Sequence, residues 1–123
     1  MTAFPRPLPL VTPWNRFYWE AGADGVLRMQ RCAACGELRF PPGPRCPSCQ
    51  SDELEVVDLS GRGTIVGLTI NHQQWHPAIQ PPYAIAIVAL EEDPAVRVTA
   101  NIVGSEGTPA ELGDAVRVTF EEH

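Results

Sequence analysis

The sequence predicts a mainly β chain: an N-terminal helix, a rubredoxin-like zinc ribbon, then a five-stranded OB-fold barrel. Three observations carry this. Two Cys-x2-Cys pairs stand close together in the first half of the chain. Aromatic residues at helical spacing precede them. Five short segments with the period of a strand follow, separated by glycine and proline corners. The expected division is residues 1–25 for an arm and helix, 26–53 for the ribbon and 54–123 for the barrel.

Residues 1–11 carry Pro5, Pro7 and Pro9 and read as an extended arm. Thr12-Pro13 marks a helix start, a capping hydroxyl followed by proline at the first helical position. Trp14, Phe17, Tyr18 and Ala21 continue at helical spacing, and Ala23-Asp24-Gly25 ends the helix. Val26 to Arg31 is a strand entering the first knuckle, with Leu38 to Phe40 as its partner. Pro41-Pro42-Gly43-Pro44 turns the chain to the second knuckle. Leu54 to Leu59 then opens the barrel segment, and Ser60-Gly61-Arg62-Gly63 is a corner suited to a bend or bulge. Thr64 to Gln73 is a long strand with Val66, Leu68 and Ile70 on one face. Tyr83 to Leu90 is apolar on both faces. One face fills a barrel, and the other needs the helix or another chain to cover it. Ala95 to Val103 puts Val96, Val98, Ala100 and Ile102 inside, and Asp114 to Glu121 does the same with Val116, Val118 and Phe120. A five-stranded open sheet is the competing arrangement.

Composition excludes several classes. With 123 residues, 44% apolar and 20% charged, the chain is neither disordered nor a coiled coil. Its longest apolar run, Tyr83 to Leu90, is far short of the roughly 20 residues of a membrane helix. The opening MTAFPRPLPL lacks the basic start and apolar core of a secretory signal, which predicts a soluble cytoplasmic protein. Charge is uneven: residues 1–50 hold six arginines against three acids, and residues 51–123 hold three arginines against twelve acids. There is no lysine, so the acidic half repels a phosphate backbone.

Cys32, Cys35, Cys46 and Cys49 carry the strongest signal. Each pair makes a knuckle whose two thiolates can face one ion, and two knuckles supply the tetrahedral soft-ligand set that suits zinc. Four thiolates leave no open position, so the zinc is structural. Two disulfides, a redox dithiol and a ribbon that has lost its metal are the alternatives. The clustered pairs and missing signal segment weigh against the first.

The remaining candidates are contact residues. The helix aromatics Trp14, Phe17, Tyr18 and Trp19 occupy too much of its circumference for one core-facing stripe, so the helix is sandwiched internally or meets a partner. Trp75 and His76 stand in the polar loop Gln73-Gln74-Trp75-His76-Pro77, where an exposed tryptophan suits an interface and plain packing of the barrel end is the alternative. His72 and His76 are four apart, but Pro77 argues against a helix presenting them together. Arg28, Arg31, Arg39 and Arg45 surround the ribbon, either as a solvated basic face or, for one or two of them, as a site for phosphates. No nucleophile elbow, phosphate loop or dinucleotide fingerprint occurs, and the site reading contains no catalytic residue.

The order of these pieces resembles one family. Phe17-Tyr18-Trp19-Glu20-Ala21, Gly25-x-Leu27, Gln30-Arg31-Cys32-x-x-Cys35-Gly36, Pro41-Pro42, Arg45-Cys46-Pro47-x-Cys49, Ser60-Gly61-Arg62-Gly63-Thr64 and Pro81-Pro82-Tyr83 look like the zinc-ribbon plus OB-fold acyl-CoA-associated family, domain of unknown function thirty-five. The chain departs from it at Glu91-Glu92-Asp93-Pro94, where the family often has an acidic-Gly turn and this chain has no glycine between Leu90 and Val103. The resemblance implies a non-catalytic accessory subunit of a thiolase-fold enzyme: a thiolase, an acyltransferase or a steroid side-chain retro-aldolase. It implies a hetero-oligomer with acyl-CoA at the shared site, for which Arg31 and Arg45 are candidate phosphate contacts, beside Trp14, Phe17, Tyr18, Trp75 and His76 as the candidate contact residues read from the sequence itself. Neither nucleic acid nor membrane is expected as a partner, given the acidic, lysine-free barrel half and the short apolar runs. The competing reading is a nucleic-acid-binding module, since ribbons and OB barrels both serve that role.

Overall fold

The computed structural model describes residues 8–104 and 109–120. Most of the arm expected over residues 1–11, and the last residue expected in the final strand, lie outside them. Helix α1 is Arg16–Glu20, continued by a 3-10 turn over Ala21–Asp24. Its entry is a hydrogen-bonded turn: the Thr12 carbonyl accepts from the Arg16 N–H at 3.0 Å, and the Asn15 side chain reaches back to the Thr12 N–H at 2.7 Å. The helix expected to start at Thr12-Pro13 thus begins at Arg16, with Asn15 as its N-cap and no side-chain cap bond, and residues 12–15 form the turn that leads into it.

Two sheets follow. Strands β1 (Leu27–Cys32), β2 (Leu38–Arg39) and β3 (Leu54–Leu59) form an antiparallel sheet in the order β2-β1-β3. Strands β4 (Arg62–Asn71), β5 (Tyr83–Leu90), β6 (Arg97–Ile102) and β7 (Ala115–Arg117) form a second, in the order β6-β5-β4-β7. Strand β3, read from the sequence as the opening of the barrel segment, is paired with β1 along its whole length, from Leu27 opposite Leu59 to Cys32 opposite Leu54. One buried cluster joins the sheets: Leu27 and Met29 of β1 pack with Leu90 and Val96, and Tyr18, Leu38, Phe40, Leu59 and Val98 close around them.

Strand β4 corrects the expected face. The ladder with β5 slips between Ile65 and Gly67, so Val66 is the extra residue of a bulge and is 42% exposed. Ile65 before the bulge, opposite Val88, is buried and Leu68 after it, opposite Ala86, is half-buried. Ile70, opposite Ala84, is in register with them but is 44% exposed, so of the three residues expected to share a face only Leu68 is even partly covered. The last strand is also shorter than expected. Val116 is half-buried, but Val118 and Phe120 are exposed beyond the end of β7. The Phe120 ring lies instead against Gly22, where an added Cβ would come within 2.8 Å of its Cδ1.

The departure at residues 91–94 also has a physical form. The Asp93 side chain accepts from the Ala95 N–H at 3.0 Å, and the Asp93 carbonyl accepts from the Val96 N–H at 2.9 Å. This Asx turn needs no glycine. Beside it, Glu91 and Glu92 receive the Ser60 hydroxyl, and Glu92 receives the Ser60 N–H, which ties the corner between β3 and β4 to the end of β5. Among the described residues no helix is long and apolar enough to cross a membrane.

Candidate metal centre and contact surfaces

The two knuckles are built alike. In the first, the Gly36 N–H donates to the Cys32 carbonyl at 2.7 Å and the Cys32 N–H to the Glu37 carbonyl at 2.9 Å. In the second, the Gln50 N–H donates to the Cys46 carbonyl at 2.9 Å and the Cys46 N–H to the Ser51 carbonyl at 2.8 Å. Both turns need a left-handed residue after the second cysteine: Gly36 has φ 80° and Gln50 has φ 66°. Glycine takes that conformation freely, whereas a side chain there costs about 1–2 kcal/mol. The Gln50 amide returns a bond to the Pro47 carbonyl at 3.4 Å, and Arg45 donates to the Gln50 carbonyl at 3.2 Å.

The four sulfurs all lie within 4.8 Å of one another. Across the knuckles, Cys32 and Cys49 are 3.6 Å apart and Cys35 and Cys46 are 3.7 Å apart. A zinc ion with bonds of about 2.3 Å in a tetrahedron sets its sulfurs about 3.8 Å apart, so the site fits it with little movement. Cys32 and Cys46 are buried, and Cys35 and Cys49 are exposed.

Charge inside the cluster argues the same way. N–H donation from Cys35, with help from the Ala34 N–H and the Cys49 and Cys35 thiols, brings the Cys32 pKa from 9.0 down to about 7 against an opposing contribution from burial. At Cys35 the Glu37 N–H also pulls downward, but the other three thiols and burial outweigh it and push the value up to about 12. Cys49 is raised for similar reasons, against the Ser51 N–H. Cys32 is thus held low while Cys35 and Cys49 are held high by their neighbouring thiols and burial, and a bound cation would offset that resistance.

A buried glutamine, not singled out from the sequence, positions the second knuckle. Gln30 on β1 donates through Nε2 to the Gly43 carbonyl at 2.9 Å and accepts the Gly43 N–H at 3.1 Å. This double bond pattern clamps the proline-rich turn that delivers Cys46. Strand β1 also carries Arg28 and Arg31, so nothing in its pattern marks the amide of Gln30 as buried.

The structure sorts the contact candidates. Tyr18 is half-buried in the core cluster, with its ring 5.1 Å from Phe40. Phe17 is half-buried beside it in sequence. Trp14 is 54% exposed, as is much of Trp19, which stands edge-on to Tyr18. Trp75 is 70% exposed, with its indole N–H bonded to Asn71 at 3.0 Å. The half-buried His76 accepts the Ala78 N–H at Nδ1, a loop-forming bond. Arg31 pairs with Glu55 at 2.7 Å, its direct neighbour across the β1–β3 ladder. Arg28 likewise pairs with Asp58 opposite it, and with Asp24. Arg39 donates to the Pro41 carbonyl and Arg45 to Gln50, so these two guanidinium groups meet carbonyls rather than acids.

Two family models match adjoining parts of the chain, together residues 19–121. One is described as the ChsH2 rubredoxin-like zinc ribbon domain, over residues 19–55, and the other as the ChsH2 C-terminal OB-fold domain, over residues 56–121. This chain belongs to the ChsH2 zinc-ribbon and OB-fold family. It is 40% identical over 117 residues to a probable enoyl-CoA hydratase alpha subunit of Thermomonospora curvata, covering 95% of this chain and 36% of that protein. It is 35% identical to the benzoylsuccinyl-CoA thiolase subunit BbsA of Thauera aromatica, covering 85% of this chain and 72% of that protein. A solved structure, the Ltp2-ChsH2(DUF35) aldolase, matches with a TM-score of 0.83 and 37% identity over 94% of this chain and 89% of that one. The chain thus spans about a third of the hydratase subunit, and most of the thiolase subunit and the aldolase chain. Membership agrees with the mainly β fold and with the four cysteines as a zinc ribbon.

Proposed function

We propose that this chain is a non-catalytic accessory subunit that scaffolds a thiolase-fold acyl-CoA enzyme in the cytoplasm and helps form its acyl-CoA site. The observation that carries the reading is the likeness, over nearly the whole chain, to the ChsH2 chain of an aldolase. The likeness to a thiolase subunit points to the same class of partner. The partner's reaction is carbon–carbon cleavage or formation or acyl transfer, and steroid side-chain retro-aldol cleavage is the one we favour. The zinc ribbon contributes stability: four thiolates would fill the ion's coordination and leave no position for substrate.

Trp14 and Trp75 are the strongest candidates for partner contact, being large, exposed and free of the core. Phe17, Tyr18 and His76, all half-buried, are the less exposed of the proposed contact residues. Arg45 is better suited than Arg31 to meet a coenzyme A phosphate, since Arg31 already has Glu55. Residues 1–25, 26–53 and 54–123 remain the proposed units of organisation, with β3 as the strand shared between the second and third. Affinity capture of the tagged chain from its native cells, followed by mass spectrometry, tests this reading. A stoichiometric thiolase-fold protein is expected. Recovery of RNA or ribosomal proteins in its place would overturn it.

A further inference from the structure

The metal cluster combines three features that the scaffold role does not use. Its sulfurs approach closely across the knuckles, at 3.6 Å for Cys32–Cys49 and 3.7 Å for Cys35–Cys46. Each of these pairs joins one exposed cysteine to one buried one, as do the pairs within each knuckle, so the sulfur contacts across the knuckles are what select the pairing. The two knuckles sit on one hydrogen-bonded frame, because the Ala33 N–H donates to the Glu53 carbonyl at 2.7 Å and Gln30 holds the turn before Cys46.

We infer that the ribbon is a site of reversible oxidative modification, in which a hydroperoxide converts the zinc-bound thiolates into two cross-knuckle disulfides, Cys32–Cys49 and Cys35–Cys46. A peroxide oxygen reaches the exposed sulfur of Cys35 or Cys49 first. That sulfur becomes a sulfenic acid as the O–O bond breaks, and hydroxide leaves and takes up a proton. The buried partner, Cys46 or Cys32, then attacks it, forming the S–S bond and releasing water. For the whole site, one Zn(S-Cys)4 centre of charge 2−, two H2O2 and four protons give Zn2+, two disulfides and four waters. Each peroxide is reduced by two electrons, and each disulfide supplies two. The product keeps the knuckles tied together, so a thiol reductant and zinc restore the original site. This inference stands independently of the partner's identity.

The sequence makes the test direct. Without lysine, trypsin cuts after Arg31, Arg39, Arg45 and Arg62, so both first-knuckle cysteines fall on residues 32–39 and both second-knuckle cysteines on residues 46–62. The zinc-loaded full chain is treated with hydrogen peroxide, and metal release is followed with a chromogenic chelator. Remaining thiols are alkylated, and the digest is read by mass spectrometry. We expect loss of the bound zinc, one species joining residues 32–39 to residues 46–62, and fragment ions assigning Cys32 to Cys49 and Cys35 to Cys46. Dithiothreitol with added zinc should return the starting metal content. Separate peptides with internal disulfides, sulfinic acids without disulfides, dimers linked between chains, or retention of zinc at hundredfold excess peroxide would each overturn the inference. The metal-free chain oxidised with diamide provides a second reading of the pairing, independent of metal release: the same two links support it and any other pairing contradicts it.

Discussion

Replacing Met29 by alanine should lower the stability of both sheets together. Met29 lies on β1, is 1% exposed, and packs with Leu27, Leu90 and Val96 where the ribbon sheet meets the barrel strands. Truncating a buried methionine costs about 2–5 kcal/mol, through lost transfer energy and the cavity left behind. For 123 residues, an unfolding entropy of about 2.1 cal/mol/K per residue makes each kcal/mol worth roughly 4 °C, so Tm should fall by about 8–19 °C. Thermal unfolding followed by circular dichroism at saturating zinc measures this. Met29→Leu, close in volume, is the control and should lose less than about 1.5 kcal/mol. The transition should stay single, because the cluster belongs to both sheets. A drop below 3 °C for Met29→Ala would refute the reasoning, and so would two separate transitions of which only the zinc-dependent one moved.

Further outcomes follow from the same geometry. Gln30→Leu strands the N–H and carbonyl of Gly43, a loss of about 1–3 kcal/mol, and should weaken zinc retention in a chelator competition because the turn before Cys46 is released. Gln50→Gly relieves the left-handed conformation at φ 66° and should raise Tm slightly, whereas Gly36→Ala imposes the same strain and should lower it. Burial raises the Tyr18 pKa above 10.0, so the folded state keeps its proton longer than the unfolded one. The stability this contributes is complete below pH 10 and is lost as pH rises from there through the folded value. Tyr18→Phe should flatten that alkaline decline in denaturant titrations across pH 9–11. An unchanged slope would remove Tyr18 from the explanation.

The metal centre was legible because it is local: two knuckles of fixed spacing carry their own geometry, although the left-handed turn residue shows in the sequence only at Gly36 and not at Gln50, whose side chain hides it. Strand β5 was legible because its run of apolar residues is the longest in the chain. The features that escaped depend on what a residue faces across the fold. Val66 alternates correctly with Leu68 and Ile70, and only the ladder to β5 shows that it is the extra residue of a bulge. Leu54–Leu59 has the period of any half-buried strand, which does not name its partner, and the partner is β1. Arg28 and Arg31 look like an open basic face until the β1–β3 register sets Asp58 and Glu55 opposite them. Gln30 falls on the polar beat of the alternation Leu27-Arg28-Met29-Gln30, which points it to solvent, whereas it is buried with two bonds to a turn thirteen residues away.

The measurement that bears most directly on the central claim is a reconstitution of acyl-CoA turnover. The chain and its captured thiolase-fold protein are purified separately and assayed alone and mixed, with the mass of the mixture read by native mass spectrometry. The scaffold account predicts no turnover by this chain, little by the other protein alone, and restored activity in a defined hetero-oligomer that Trp75→Ala or Trp14→Ala weakens. Full activity of the thiolase-fold protein without this chain, or a mixture in which the two never associate, would contradict it.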